Sequence, residues 1–241
     1  MNVRGYITDN LIGPLGADTA LFTRPTVGFA GSDGVRKMGR SDEDIASFQE
    51  HLKPIVVESL PCRRLPCGFV NAGRDVRRWS DERDMRMGLV GLGWWRSSMQ
   101  SVLGMFELMS YASRKLSQHA SRYDIIIRAR PDLEFKSPIN PAPLHDLKPG
   151  DKVILKPPFC NIACAGGMND QFFVGRPESI LPLMDISGRL PSYAAQNISI
   201  QPEVMLGHHM RQLGLRAENI PVDYIIRRAS GKKVDQRRAK D

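Results

Sequence analysis

The stretch YDIIIRARPDLEF, Tyr123–Phe135, constrains the fold more than any other part of the chain. Its consecutive isoleucines are β-branched and apolar, and read as a buried strand. That strand then runs directly into Arg128, Arg130, Asp132 and Glu134. In an open α/β sheet, ligands bind beyond the carboxyl ends of the strands, where loops converge. Four charges at such an end mark a candidate site.

Asp132 and Glu134 are two residues apart, so in extended chain both side chains point the same way. Two neighbouring carboxylates repel unless a cation sits between them. Their hard oxygens suit Mg²⁺ or Mn²⁺, ions that in turn bridge phosphates. The other outcome open to these residues is a surface network in which Arg128 and Arg130 pair with the two acids, an arrangement that stabilises little.

The remaining elements follow from local pattern. Thr19–Phe22 and Lys53–Ser59 read as short strands, and SDEDIASFQEHL between them as a helix with a serine N-cap and acids in its first turn. Strand, helix, strand argues for a parallel α/β sheet. A loop rich in Gly and Arg spans Cys62–Gly93, with room for one short helix near Asp81. Trp95, Met99, Val102, Phe106 and Met109 then recur at helical spacing, which predicts a long helix ending near His119 with this stripe in the core. Strands are predicted at Lys152–Pro157, Gln171–Gly175 and Ile220–Arg227, and helices over RPESILPLMDI and QPEVMLGHHMRQLG, the latter with Pro202 in its first turn. GLVGLGWW follows no clear strand, so it is not read as a dinucleotide loop.

With 241 residues the simplest organisation is one domain over residues 1–227. Residues 228–241 are read as a basic, unstructured tail. From Arg227 onward there are seven Lys/Arg and two Asp, a net +5 of the chain's +8. Such a tail acts as a solvated end or as a peripheral tether to acidic membrane or nucleic acid. No apolar run is long enough to span a bilayer, and MNVRGYITDN lacks a signal peptide's apolar core. A cytoplasmic chain is therefore expected. Cys62 and Cys67 (C-x4-C) and Cys160 and Cys164 (C-x3-C) lack the C-x2-C spacing of a zinc knuckle, and free buried thiols are expected.

The succession YDIIIRARPDLEF, NDQFFVG, QPEVMLGHHMRQLG resembles a family of small glycosyltransferases with the GT-A fold. The resemblance implies a Rossmann-like, mixed and mostly parallel sheet flanked by helices. It implies that Asp132 and Glu134 form an Asp-x-Asp-type motif whose divalent ion, Mn²⁺ or Mg²⁺, clamps the diphosphate of a nucleotide-sugar donor. Arg128 and Arg130 would balance charge or touch the phosphates, and His208 or His209 would supply a third metal ligand, His208 being the expected one. Asn169, Asp170 and Gln171 are similar to the Asp-Gln motif of related sugar transferases, their amides and carboxylate meeting sugar hydroxyls. Asp170 would deprotonate the hydroxyl of a glycan or other acceptor, with Glu203 on the acceptor side. Read from the residues alone, Asp170 is equally a turn residue capping a strand, and Glu203 an acid well placed at a helix N-terminus.

In that fold a first strand and turn hold the nucleotide base. Here GYITDNLIGPLGADTALFT begins with what reads as the following helix and second strand. The expectation is a chain without its first strand, through a misplaced start or a fragment; only if a leader or anchor has been lost with it would the chain belong in a secretory lumen. Two other functions fit the composition. One is a degenerate, non-catalytic transferase that binds sugar or scaffolds. The other is a basic nucleic-acid-binding module, which lacks the interleaved aromatics of an RNA-reading sheet, so no specific nucleic-acid partner is expected.

Overall fold

The computed structural model describes residues 6–23, 26–28, 38–40, 46, 49–50, 52–54, 56–59, 99–158, 167–196, 198, 201–227 and 233–235. The chain is a mixed α/β protein. A π-helical turn, Thr8–Ile12, leads into a single α-helical turn, α1 (Gly13–Leu15). The strand β1 (Ala20–Thr23) then pairs in parallel with β4 (Val56–Ser59). A small antiparallel pair, β2 (Thr26–Gly28) with β3 (Met38–Arg40), has no counterpart in the sequence reading. Residues 46, 49, 50 and 52 are helical, where a helix is expected. The Cys62–Gly93 loop, Trp95 and all four cysteines lie outside the described residues.

The long helix α2 (Met99–Leu116) is followed by a 3-10 turn over Ser117–Arg122 that delivers the chain to β5 (Ile126–Ala129). After β5 come β6 (Leu133–Phe135), the short helix α3 (Ala142–His145), β7 (Val153–Lys156) and β8 (Phe172–Gly175). Helices α4 (Pro177–Met184), α5 (Leu190–Ala195) and α6 (Pro202–Gln212) precede the last strands. These are β9 (Arg216–Asn219), β10 (Tyr224–Arg227) and β11 (Lys233–Asp235).

The main sheet has the order β5-β8-β7-β9. Because β8 is antiparallel to both neighbours and β9 is parallel to β7, three strands run one way and β8 runs against them. Among the described pairings only β1–β4 and β7–β9 are parallel, fewer than a mostly parallel sheet implies. β8 follows β7 in the chain and pairs beside it antiparallel. A second sheet, β11-β10-β6, is wholly antiparallel. Within the stretch read as an unstructured tail, Lys233–Asp235 pairs with β10 as an edge strand. β9, with the sequence RAEN, carries no apolar pattern and is held by its register with β7.

The main sheet separates two apolar layers, as alternation along its strands requires. One face carries Ile154 and Phe173 against α2, α4 and α6, with Val102, Phe106 and Met109 buried as their helical spacing implies. Ser110 and Ser113 share that buried stripe and donate to the carbonyls of Met184 (3.2 Å) and Leu181 (2.7 Å). The other face carries Leu155, Phe172 and Val174 against β6, β10 and the N-terminal helical turns. There the ring of Phe135 meets Phe172 (5.6 Å) and Tyr224 (5.8 Å) edge to face. Asn10 Nδ2 donates to the carbonyl of Phe135 at 3.0 Å, tying the N-terminal turns to β6. Among the described residues no helix is long and apolar enough to cross a membrane.

Gly175 ends β8 where the α4 side chains close over the sheet. A Cβ there would lie 3.0 Å from Ile180 Cγ1, 3.2 Å from Ile154 Cδ1 and 3.2 Å from the Val153 carbonyl oxygen. Gly175→Ala therefore overpacks the layer, and denaturant unfolding is expected to show a loss of about 1–3 kcal/mol.

Candidate functional site

The chain leaves β5 through a turn rather than as extended strand. Arg130 N–H continues the ladder by donating to the Gln171 carbonyl (2.9 Å), and Leu133 N–H reaches back to the Arg130 carbonyl (3.4 Å). Pro131 occupies the second position of this turn, where its fixed φ is favourable. The turn redirects Asp132, whose two carboxylate oxygens accept from Arg130 Nε (2.9 Å) and Nη2 (2.6 Å). This fork-on-carboxylate pair is the strong form of the interaction. Asp132 and Glu134 thus do not share an extended segment. Glu134 is buried within β6, opposite Ile225 of β10.

At the start of β8, Asn169 and Asp170 divide the work between them. Asn169 Oδ1 accepts from the N–H groups of Gln171 and Phe172, both at 2.9 Å, and so caps the strand. Its Nδ2 donates to Tyr224 Oη (2.9 Å), and that hydroxyl faces Gln171 Oε1 at 3.2 Å. Asn169 and Gln171, expected on the donor sugar, are instead joined to a buried tyrosine. The capping role open to Asp170 in the sequence belongs to its neighbour. Asp170 itself is buried, and among the described residues it makes no hydrogen bond or ion pair.

Helix α6 brings in the second acid. Pro202 starts the helix and Glu203 sits in its first turn, anchored by Met168 N–H donating to the Glu203 carbonyl at 2.9 Å. An acid at a helix N-terminus is ordinarily held low. Here burial, and then the Asp170 charge, push the Glu203 carboxyl up to about 8 against the opposing pull of Arg130. Near neutral pH it carries a proton.

Two arginines complete the group. Arg128 pairs in register with Phe173 and its guanidinium lies 5.7 Å over that ring. Its Nη1 is buried with no hydrogen-bond partner. Burial pulls Arg128 down to about 10, opposed by Asp170 and Asp132. Burial acts on Arg130 in the same direction, but Asp132 and Asp170 outweigh it and leave Arg130 raised. Tyr224 is pushed up, by burial first. The structure therefore brings together Arg128, Arg130, Asp132, Asp170 and Glu203 around the end of β5.

His208 stays apart from these charges. Five residues along a helix from Glu203 it is turned roughly 140° away, and its ring packs edge to face on Tyr193, 4.8 Å between centroids. Burial, and then Arg211, lower its basicity. His209 is a structural clamp between the Tyr193 hydroxyl (2.6 Å) and the Pro182 carbonyl (3.1 Å). Among the described residues no three His, Cys, Asp or Glu side chains gather as metal ligands, so Asp132, Glu134 and His208 do not meet at one point. The three residues expected as metal ligands are each engaged elsewhere: Asp132 with Arg130, Glu134 within β6 and His208 on Tyr193. Tyr224 and Phe173, central to the site, carry no sequence signal beyond lying in apolar strands. No protein-family profile, curated protein or solved structure matches this chain.

The raised Glu203 carboxyl fixes a pH dependence. The folded chain holds this proton more tightly than the unfolded one, so its contribution to stability is full below about 4.5, falls as pH rises, and is gone above about 8. Asp170 and Arg130 are the charges facing it. Glu203→Gln keeps the neutral shape and removes the fall. Its Tm at pH 8.5 should exceed that of the wild type by about 4 °C or more, with the gap closed at pH 4, in thermal melts followed by circular dichroism.

Proposed function

We propose that this protein is a glycosyltransferase that moves a sugar from a nucleotide-sugar donor to a hydroxyl of a glycan or other acceptor. The reading takes the main sheet as GT-A-like, with the donor at the end of β5. The observation that carries it is the pair of acids at that strand end. Among the described residues the Asp170 carboxylate makes no hydrogen bond, and burial together with the Asp170 charge favours the acid form of Glu203 beside it. An acid-form carboxyl next to an uncommitted carboxylate is an arrangement suited to proton transfer.

In the proposed reaction Asp170 accepts the proton of the acceptor hydroxyl as its oxygen attacks the anomeric carbon. The bond from that carbon to the donor phosphate breaks, and the nucleoside diphosphate leaves with the electron pair. Glu203, in its acid form, donates a hydrogen bond to a sugar hydroxyl in the site. The arginines face the side on which negative charge accumulates, where fixed cations stabilise a transition state most effectively.

The test is release of nucleoside diphosphate from UDP- and GDP-sugars, supplied with simple sugar acceptors, by wild type and Asp170→Asn. The wild type is expected to turn over at least one donor, and the variant to lose about 10²-fold or more in kcat with its melting temperature retained. Equal turnover by a folded Asp170→Asn variant, or none by the wild type on any donor, overturns the proposal.

A further inference from the structure

We propose that Arg128, assisted by Arg130, is the cation that receives a diphosphate group at this site, so that diphosphate binding to this chain needs no divalent ion. The inference rests on the glycosyltransferase reading for the nucleotide attached to that diphosphate, but not for the diphosphate itself.

Three observations lead to it. First, the cations of the cluster are part of the protein: two guanidiniums stand around the end of β5, one of them over the face of Phe173. Second, they are not equally committed. Arg130 gives Nε and Nη2 to Asp132 in a bidentate pair, whereas among the described residues Arg128 makes no ion pair and its Nη1 is covered without a partner. A covered guanidinium N–H without a hydrogen bond is destabilising, and an anionic oxygen relieves that cost. Third, the acids expected to hold a metal are dispersed. Asp132 is taken by Arg130, Glu134 lies within β6, His208 stacks on Tyr193, and no three such ligands gather among the described residues.

The chemistry matches a phosphate better than a neutral hydroxyl. Arginine's planar fork fits two phosphate oxygens at once, and its charge is weakly hydrated, so it survives in a covered position where an ammonium would lose its proton. Phe173 supplies an apolar floor that keeps the guanidinium plane in place. Asp170 acts on Arg128 through its charge, with no ion pair between the two among the described residues. A diphosphate entering here displaces no internal partner of Arg128. It also shares the acid form of Glu203, a neutral neighbour that does not repel it.

The experiment is calorimetric titration of the full chain with inorganic pyrophosphate, UDP and GDP, in EDTA and again in Mn²⁺. It uses wild type, Arg128→Met and Arg128→Lys, with melting curves to verify folding. Pyrophosphate is expected to bind the wild type in EDTA, more weakly as salt rises. Arg128→Met keeps the apolar stem over Phe173, and its affinity should fall about 10-fold or more. Arg128→Lys keeps the charge without the fork, so its loss should be intermediate; it also serves as the reading should Arg128→Met not fold.

Binding seen only with Mn²⁺, unchanged affinity in both variants, or no pyrophosphate binding in either condition overturns the inference. Pyrophosphate binding in EDTA that UDP and GDP do not improve upon supports the arginine site while the nucleotide-sugar reading falls. Nucleotide binding that demands Mn²⁺ keeps that reading and sinks this one.

Discussion

The side chain of Asn169 joins three parts of the molecule with one amide. Its oxygen caps β8 by accepting from two successive backbone N–H groups, and its nitrogen holds Tyr224 of β10, the strand that links β6 to β11. All of these atoms are buried, where an unmade hydrogen bond costs about 1–3 kcal/mol each. The position of β8 decides where the end of β5 lies, because Arg130 N–H donates to the Gln171 carbonyl two residues past the amide. The site is therefore assembled around a polar group that also caps a strand. Because Asn169 fills that capping role, the Asp170 carboxylate is not needed for it.

The charges of the site show which force wins at each position. Glu203 begins a helix, where the macrodipole favours ionisation by about 0.3–1 kcal/mol, yet it is held in the acid form. Burial beside a second carboxylate outweighs the dipole and Arg130 together. Arg130 is the opposite case, since burial opposes its charge but two carboxylates restore it. Arg128 falls between them, lowered by burial yet charged at any physiological pH, with its Nη1 unpartnered. One cluster thus contains a cation paired with an acid, a cation with an unpartnered donor, and an acid held in its neutral form.

Elements that bury a regular stripe were legible in the sequence. The Val102, Phe106 and Met109 repeat forms α2, and the runs at Lys152–Pro157 and Gln171–Gly175 contain β7 and β8. The helices opening at Pro177 and Pro202 begin where proline is tolerated. What escaped was pairing without pattern. RAEN becomes β9 through its register with β7, and Lys233–Asp235 becomes β11 in a basic stretch, because backbone hydrogen bonds do not depend on side-chain polarity. The reversed direction of β8 escaped as well, since a strand's run of apolar residues is the same read either way.

In the candidate site, the charges that the sequence singles out take partners other than those their spacing implies. Spacing of two residues places Asp132 and Glu134 together only if the chain stays extended, and Pro131 makes a turn there instead. Asp132 then meets Arg130, two residues behind it, and Glu134 goes into a second sheet. Similarly, Asn169-Asp170-Gln171 reads as one polar motif, yet alternate duties fall on adjacent residues: the two amides face Tyr224 and the acid between them faces the arginines. Sequence adjacency could not separate them, because the tyrosine that sorts them lies 55 residues away from Asn169. The chemistry of this strand end is therefore a property of three distant segments meeting. What Asp170, Glu203 and Arg128 can do is set by the partners that Asn169, Tyr224 and Pro131 take out of contention.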